Sequence, residues 1–132
     1  MLKTLGIIGY GHVGSTVADL ASSLGMSVLY NDIKIGEVKE NHPRASLIDV
    51  ITLSDYLSLH TPLTKETTNL ITKKTLSVMK SSAFLINTSR GEVIDQAALK
   101  NALNQKTITG AALDVFIEEP PTDMTFLSLP NL

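Results

Sequence analysis

The sequence contains no cysteine, which excludes disulfides and thiolate metal sites. No apolar run reaches the roughly 18 residues of a membrane-spanning helix, so no membrane partner is expected. No stretch gathers Lys and Arg beside exposed aromatics, and the net charge of −2 speaks against a nucleic-acid partner. His12, His42 and His60 are the only histidines; no two share a helix face, so no metal site is expected. Internal repeats and low-complexity tracts are absent. Met1-Leu2-Lys3 leads straight into an apolar segment without the length of a signal peptide, and the expected location is cytoplasmic. What remains is one domain of 132 residues, 43% apolar, large enough to enclose a core.

The informative stretch opens the chain. The apolar run Leu5-Gly6-Ile7-Ile8 ends in Gly9-Tyr10-Gly11-His12-Val13-Gly14, a Gly-x-Gly-x-x-Gly pattern. The spacing predicts a helix beginning near His12, with Val13, Val17, Leu20 and Leu24 on one apolar stripe and Gly25 stopping it. Ser27-Val28-Leu29-Tyr30 reads as a second strand that closes on Asp32, eighteen residues after Gly14. Strand, tight turn, helix, strand and acid form the context of a dinucleotide fingerprint. Gly9 permits the turn, Gly11 lets a pyrophosphate approach the backbone, and Gly14 lets the helix pack on the sheet. The helix start aims unpaired N–H groups at the phosphates. Asp32 can accept hydrogen bonds from the adenosine ribose hydroxyls and would repel a 2′-phosphate. With no arginine directly after it, this selects NAD over NADP, though Lys34 weakens the repulsion. A ligand-free glycine turn is the alternative reading of the motif alone; its flanks favour the cofactor.

Further on, residues 33–44 are polar and read as a surface connection, with His42 solvated. Ser46 is expected to cap a short helix over 46–52. Tyr56-Leu57-Ser58-Leu59-His60 is the next strand, broken by Thr61-Pro62. Thr72 caps a helix through Met79, and Ala83-Phe84-Leu85-Ile86-Asn87 reads as a strand buried on both faces. Asp95 caps a helix carrying Leu99, Ala102 and Leu103. Residues 107–113 form the last strand, and Pro120-Pro121 opens an irregular tail. Alternating strands and helices predict a Rossmann-type, doubly wound parallel α/β sheet in three layers.

Ligands of such sheets sit outside the carboxyl ends of the strands. The residues there are Gly9-Tyr10-Gly11, Asp32, His60-Thr61-Pro62, Asn87-Thr88-Ser89-Arg90 and Asp114. Arg90 can grip a carboxylate with two parallel hydrogen bonds; taken alone it is also a plausible solvated turn residue. Glu118 and Glu119 are either solvated acids or partners that orient a histidine. His60 ends a strand and could touch an adenosine. None of the three histidines is an obvious proton donor beside Arg90.

In one order the chain carries Gly9-Tyr10-Gly11-His12-Val13-Gly14, Ser58-Leu59-His60-Thr61-Pro62-Leu63-Thr64, Met79-Lys80, residues 86–95 as Ile-Asn-Thr-Ser-Arg-Gly-Glu-Val-Ile-Asp, and Gly110-Ala111-Ala112-Leu113-Asp114-Val115-Phe116. This closely resembles the NAD-binding domain of the D-isomer-specific 2-hydroxyacid dehydrogenases, and within them the phosphoglycerate dehydrogenase branch. The resemblance implies hydride transfer between NAD and C2 of a small 2-hydroxy or 2-oxo acid, with 3-phosphoglycerate a candidate, in a homodimer. It implies that Arg90 holds the substrate carboxylate and that Glu119 pairs with a catalytic histidine. Asp114 would bond the nicotinamide carboxamide, Asp32 the ribose, and the N–H groups of His12 and Val13 the pyrophosphate. Thr61, Thr88 and Ser89 would line the remaining cleft. Family members also carry a substrate domain, and a catalytic histidine beyond a segment like Leu129-Pro130-Asn131-Leu132. Residues 1–132 are therefore expected to be a cofactor domain without those two parts, one that binds cofactor without turnover. A non-catalytic dinucleotide-binding or dimerisation module, as in the C-terminal-binding corepressors, is the alternative. Adenosylhomocysteine hydrolase shares the glycine loop, but Asn87-Thr88-Ser89-Arg90-Gly91 argues against it.

Overall fold

A computed structural model describes residues 2–34, 36 and 38–132. Met1 of the expected chain start, and Ile35 and Glu37 of the expected surface connection, lie outside the described residues. Five strands form one parallel sheet in the order β2-β1-β3-β4-β5: β1 Thr4–Ile8, β2 Ser27–Asn31, β3 Tyr56–Leu59, β4 Phe84–Asn87 and β5 Gly110–Leu113. The helices are α1 His12–Ser23, α2 Leu47–Leu53, α3 Lys73–Val78, α4 Gln96–Asn104 and α5 Met124–Leu127, with a 3-10 turn at Gly91–Val93. The chain runs outward from β1 to β2, then crosses back to β3 on the other side. That reversal opens the crevice in which doubly wound sheets hold ligands.

Two apolar clusters sandwich the sheet. Leu5, Ile7, Val28 and Tyr30 pack under Ala18 and Ala21 of α1. On the opposite face Ile8, Leu57, Leu59 and Leu85 pack against Val50 and Ile51 of α2, Leu76 of α3, and Leu99 and Leu103 of α4. Helices thus cover both faces, in the three layers that the sequence predicts. The caps also stand where their residue types place them: Ser46, Thr72 and Asp95 each accept a backbone N–H of the following helix turn.

Four expectations are corrected. Of the expected stripe on α1, Val17 packs against the core, but Val13, Leu20 and Leu24 are 64%, 62% and 84% exposed, and Gly14, Ala18 and Ala21 are buried instead. The helix lies so close to the strands that only small side chains fit beneath it. A Cβ on Gly14 would stand 2.0 Å from the Gly9 carbonyl oxygen. Strand β4 is buried on one face only; Phe84 is 37% exposed and stacks on Tyr56 at 5.5 Å between ring centroids. Strand β5 begins at Gly110 rather than residue 107, because Thr107 N still donates to Ala102 O of the α4 exit turn (2.8 Å). The tail contains α5, capped by Asp123 and anchored by buried Phe126.

Candidate cofactor-binding site

Strand register builds the site. Asn31, Ile8, Leu59, Asn87 and Leu113 stand in one row across the sheet. The next residue of every strand therefore emerges on the same edge: Asp32, Gly9, His60, Thr88 and Asp114.

The turn after β1 depends on glycine. Gly9 has φ +93°, and a Cβ there would lie 2.3 Å from the His60 carbonyl oxygen. Around Gly11 the space is open, with nothing within 4 Å of an added Cβ. Gly11 also begins α1 without a side-chain cap, and the first turn holds no acid. Exposed His12 and Val13 follow it, so their N–H groups and the positive end of the helix dipole face an anion's place. Asp32 is locked to this turn. Its Oδ2 accepts from Tyr10 N at 2.6 Å and its Oδ1 from Lys34 N at 2.8 Å.

Beside the glycine turn, Thr61 Oγ1 is buried and has no hydrogen-bond partner among the described residues. A buried orphan hydroxyl at the crevice suits a polar ligand. His60 Nε2 lies 2.8 Å from the Oγ of buried Ser58. Burial holds its imidazole below the ordinary 6.5, so the ring is neutral at pH 7.

The far half of the edge is organised by Asn87, which is fully buried. Its Oδ1 accepts from Ser89 N (3.0 Å) and Ser89 Oγ (2.8 Å), and its Nδ2 donates to Arg90 O (2.9 Å). Its carbonyl accepts from Asp114 N at 3.0 Å. Thr88, Arg90 and Asp114 are exposed and Ser89 half-buried; Arg90 Nη1 donates to Ser89 O at 2.8 Å. A Cβ on Gly91 would stand 2.1 Å from the Phe116 carbonyl carbon, so the segment bearing Glu119 rests on the turn after Arg90. Glu119 is exposed, and its Oε1 accepts from Phe116 N at 3.1 Å.

Three features emerge only in the folded chain. Asn87 closes a strongly apolar strand, a signal in itself, yet its triple role depends on burial. His42 is not solvated: its ring is 2.9 Å from Asp19 Oδ1 and edge-on to Tyr10, which stacks on Tyr30 at 3.8 Å. Burial, then Glu40, pushes the Tyr30 phenol up to about 12. An arginine does reach Asp32, from twelve residues downstream: Arg44 Nη2 donates to the Asp32 carbonyl. Among the described residues no hydrogen bond joins a histidine to Arg90 or Glu119, no acid–histidine group could hold a metal, and no helix is long and apolar enough to cross a membrane.

The family model for the NAD-binding domain of D-isomer-specific 2-hydroxyacid dehydrogenases matches residues 1–132. A glycerate dehydrogenase of Methylorubrum extorquens is 47% identical over 98% of this chain and 41% of its own length. A D-3-phosphoglycerate dehydrogenase of Escherichia coli is 46% identical over 92% of this chain and 30% of its own. A D-isomer-specific 2-hydroxyacid dehydrogenase from Lactobacillus delbrueckii ssp. bulgaricus, solved as its NAD complex, superposes with a TM-score of 0.91 at 38% identity, over 98% of this chain and 44% of that one. The chain thus spans less than half the length of these relatives.

Proposed function

The chain belongs to the D-isomer-specific 2-hydroxyacid dehydrogenase family as its NAD-binding domain, and on that premise we propose that it serves hydride transfer between NAD and a D-2-hydroxy or 2-oxo acid. The observation that carries this reading is the single row of strand ends, which sets Asp32, the glycine turn, Thr61, Arg90 and Asp114 along one edge.

The roles follow from the groups available. The N–H groups of His12 and Val13, beside open Gly11, would hold the pyrophosphate. Asp32 accepts from the adenosine ribose hydroxyls, oriented by Tyr10 N. Thr61, Thr88 and Ser89 line the crevice, and Asp114 accepts from the carboxamide. The nicotinamide, when bound, supplies or accepts the hydride. Arg90 clamps the substrate carboxylate and polarises the neighbouring carbonyl, since its charge persists at every working pH. Glu119 orients and raises the pKa of the proton donor. Similarity to a phosphoglycerate dehydrogenase makes 3-phosphoglycerate the first substrate to assay. A homodimer is supported by the exposed aliphatics of α1; sedimentation should show dimers at micromolar concentration, and a strict monomer removes that part.

Calorimetric titration with NADH and NADPH tests the cofactor reading. NADH should bind and NADPH bind more weakly. Asp32→Ala should cost NADH about 1.5–3 kcal/mol, the worth of hydrogen bonds to a charged group. Equal or tighter NADPH binding by the unaltered chain refutes the assignment.

A further inference from the structure

Residues 43–45 return to the outer edge of β2 as a single parallel bridge between Tyr30 and Arg44. Tyr30 N donates to Pro43 O (3.0 Å), Ala45 N donates to Tyr30 O (2.8 Å), and Asn31 Nδ2 donates to Ala45 O (2.9 Å). This pairing fixes where the Arg44 guanidinium begins, and its bond to the Asp32 carbonyl fixes where it ends. The side chain remains 30% exposed, and Nη1 lies 3.7 Å from Glu40 Oε1, beyond hydrogen-bond reach.

Charge and position are thus separated at the end of β2. The Asp32 carboxylate is held by two backbone N–H groups, Tyr10 and Lys34. The Arg44 guanidinium is held by a carbonyl of the same residue. Both groups belong to the same strand end, the guanidinium bonded to the backbone carbonyl of Asp32 and not to its carboxylate, and it keeps donors to spare. A phosphate monoester beside Asp32 meets like charge. With that charge removed, it meets a planar cation suited to paired hydrogen bonds with phosphate oxygens.

We infer that Arg44 is a latent ligand for a 2′-phosphate on the adenosine ribose, silenced by the carboxylates of Asp32 and Glu40. The inference rests on the reading of this edge as the adenosine site. It makes the preference for NAD a matter of one or two negative charges, with the cation for the other cofactor already in place. The sequence hides this, because twelve residues separate Arg44 from Asp32.

The test uses adenosine 2′,5′-bisphosphate and 5′-AMP, which differ only in the 2′-phosphate, titrated by calorimetry into the 132-residue chain. Circular dichroism checks the fold of each variant. In Asp32→Asn the affinity for the bisphosphate relative to 5′-AMP should rise roughly tenfold or more, the scale of one charge-assisted contact. Adding Arg44→Ala should abolish most of that gain while leaving 5′-AMP within about twofold, and Arg44→Lys should restore part of it. The logarithm of bisphosphate affinity should also fall more steeply with salt in Asp32→Asn than in the double variant. No gain in Asp32→Asn, or an equal loss of both probes on adding Arg44→Ala, overturns the inference; the second result makes Arg44 a loop anchor only. If Asp32→Asn binds neither probe, Glu40→Gln decides with Asp32 intact. A relative gain for the bisphosphate that Arg44→Ala removes supports the inference, and no gain overturns it. Failure of the unaltered chain to bind NADH and 5′-AMP refutes the adenosine site itself, a different result from either.

Discussion

Beyond its place in the strand ladder, Asn87 makes hydrogen bonds to Ser89 N, Ser89 Oγ, Arg90 O and Asp114 N, while wholly buried. Replacing it with alanine removes the three made by its side chain and strands a backbone N–H in the turn. Asn87→Ala should cost about 2–3 kcal/mol of stability, summed from modest net bonds and one unsatisfied group. The shift of the urea midpoint measures this, and a change below about 0.5 kcal/mol would mean that water takes over the turn. At this scale the sequence is legible where function is local to the backbone. Gly9, Gly11, Gly14 and Asp32 could be read because a turn, a close approach and a strand end each demand a residue type. Arg44 and His42 could not, since their partners Asp32 and Asp19 meet them only because the chain returns to β2 at residues 43–45. Asn87 lay between: its place was readable, its bonds were not.

Helix starts were legible for the same local reason, through Ser46, Thr72 and Asp95. The facing of α1 was not. Periodicity locates an apolar stripe but does not say whether the stripe meets the sheet or another surface. Close packing on β1 and β2 reserved the inner face for Gly14, Ala18 and Ala21. Helix α5 is not legible in the sequence, because four residues carry too little pattern, yet Asp123 defines it. That carboxylate accepts from Thr125 Oγ1, from Lys100 Nζ of α4 at 3.0 Å and from Phe126 N. Thr125 first, then Lys100, lowers its pKa from 3.8 to about 2. Asp55 is lowered as well, first by Thr4 N–H at the start of β1 and also by Lys80. Both folded values lie below the unfolded ones, so the unfolded chain takes up protons first as pH falls. The stability these groups add is complete above the ordinary carboxylate value. It is lost on acidification through that value toward the folded one, which for Asp123 is the interval from 3.8 to about 2. Asp123→Asn should therefore lower Tm near neutrality and flatten the fall of Tm in that interval. Thermal melts across the acid range check it; an unchanged slope would show that the Lys100–Asp123–Thr125 contact does not hold in solution.

The five-stranded order brings Asp32, Gly9, His60, Thr88 and Asp114, one from the end of each strand, to one edge within these 132 residues. Reduction of a 2-oxo acid needs one thing more. Hydride transfer to a ketone leaves an alkoxide, and the proton that quenches it must come from a donor poised near neutral pH. Histidine suits that role best, with a carboxylate such as Glu119 to tune it. Among the described residues none of the three histidines is hydrogen-bonded to Arg90 or Glu119, whose bonds go to Ser89 and Phe116. His12 sits on the first turn of α1, His42 is paired with Asp19, and His60 is turned to Ser58 and kept neutral by burial. Arg90 and Glu119 are exposed, so water would compete with any substrate they hold. Assayed by itself, the 132-residue chain should bind NADH yet show no enzyme-rate consumption of it. Loss of NADH absorbance would be followed with a series of 2-oxo acids including 3-phosphohydroxypyruvate, beside a relative of full family length as the positive control. Steady turnover by the chain alone would refute this, and His12→Ala, His42→Ala and His60→Ala would then identify which imidazole gives the proton. If all three retained the rate, no imidazole would be the donor, and the proton would come from water or another acidic group.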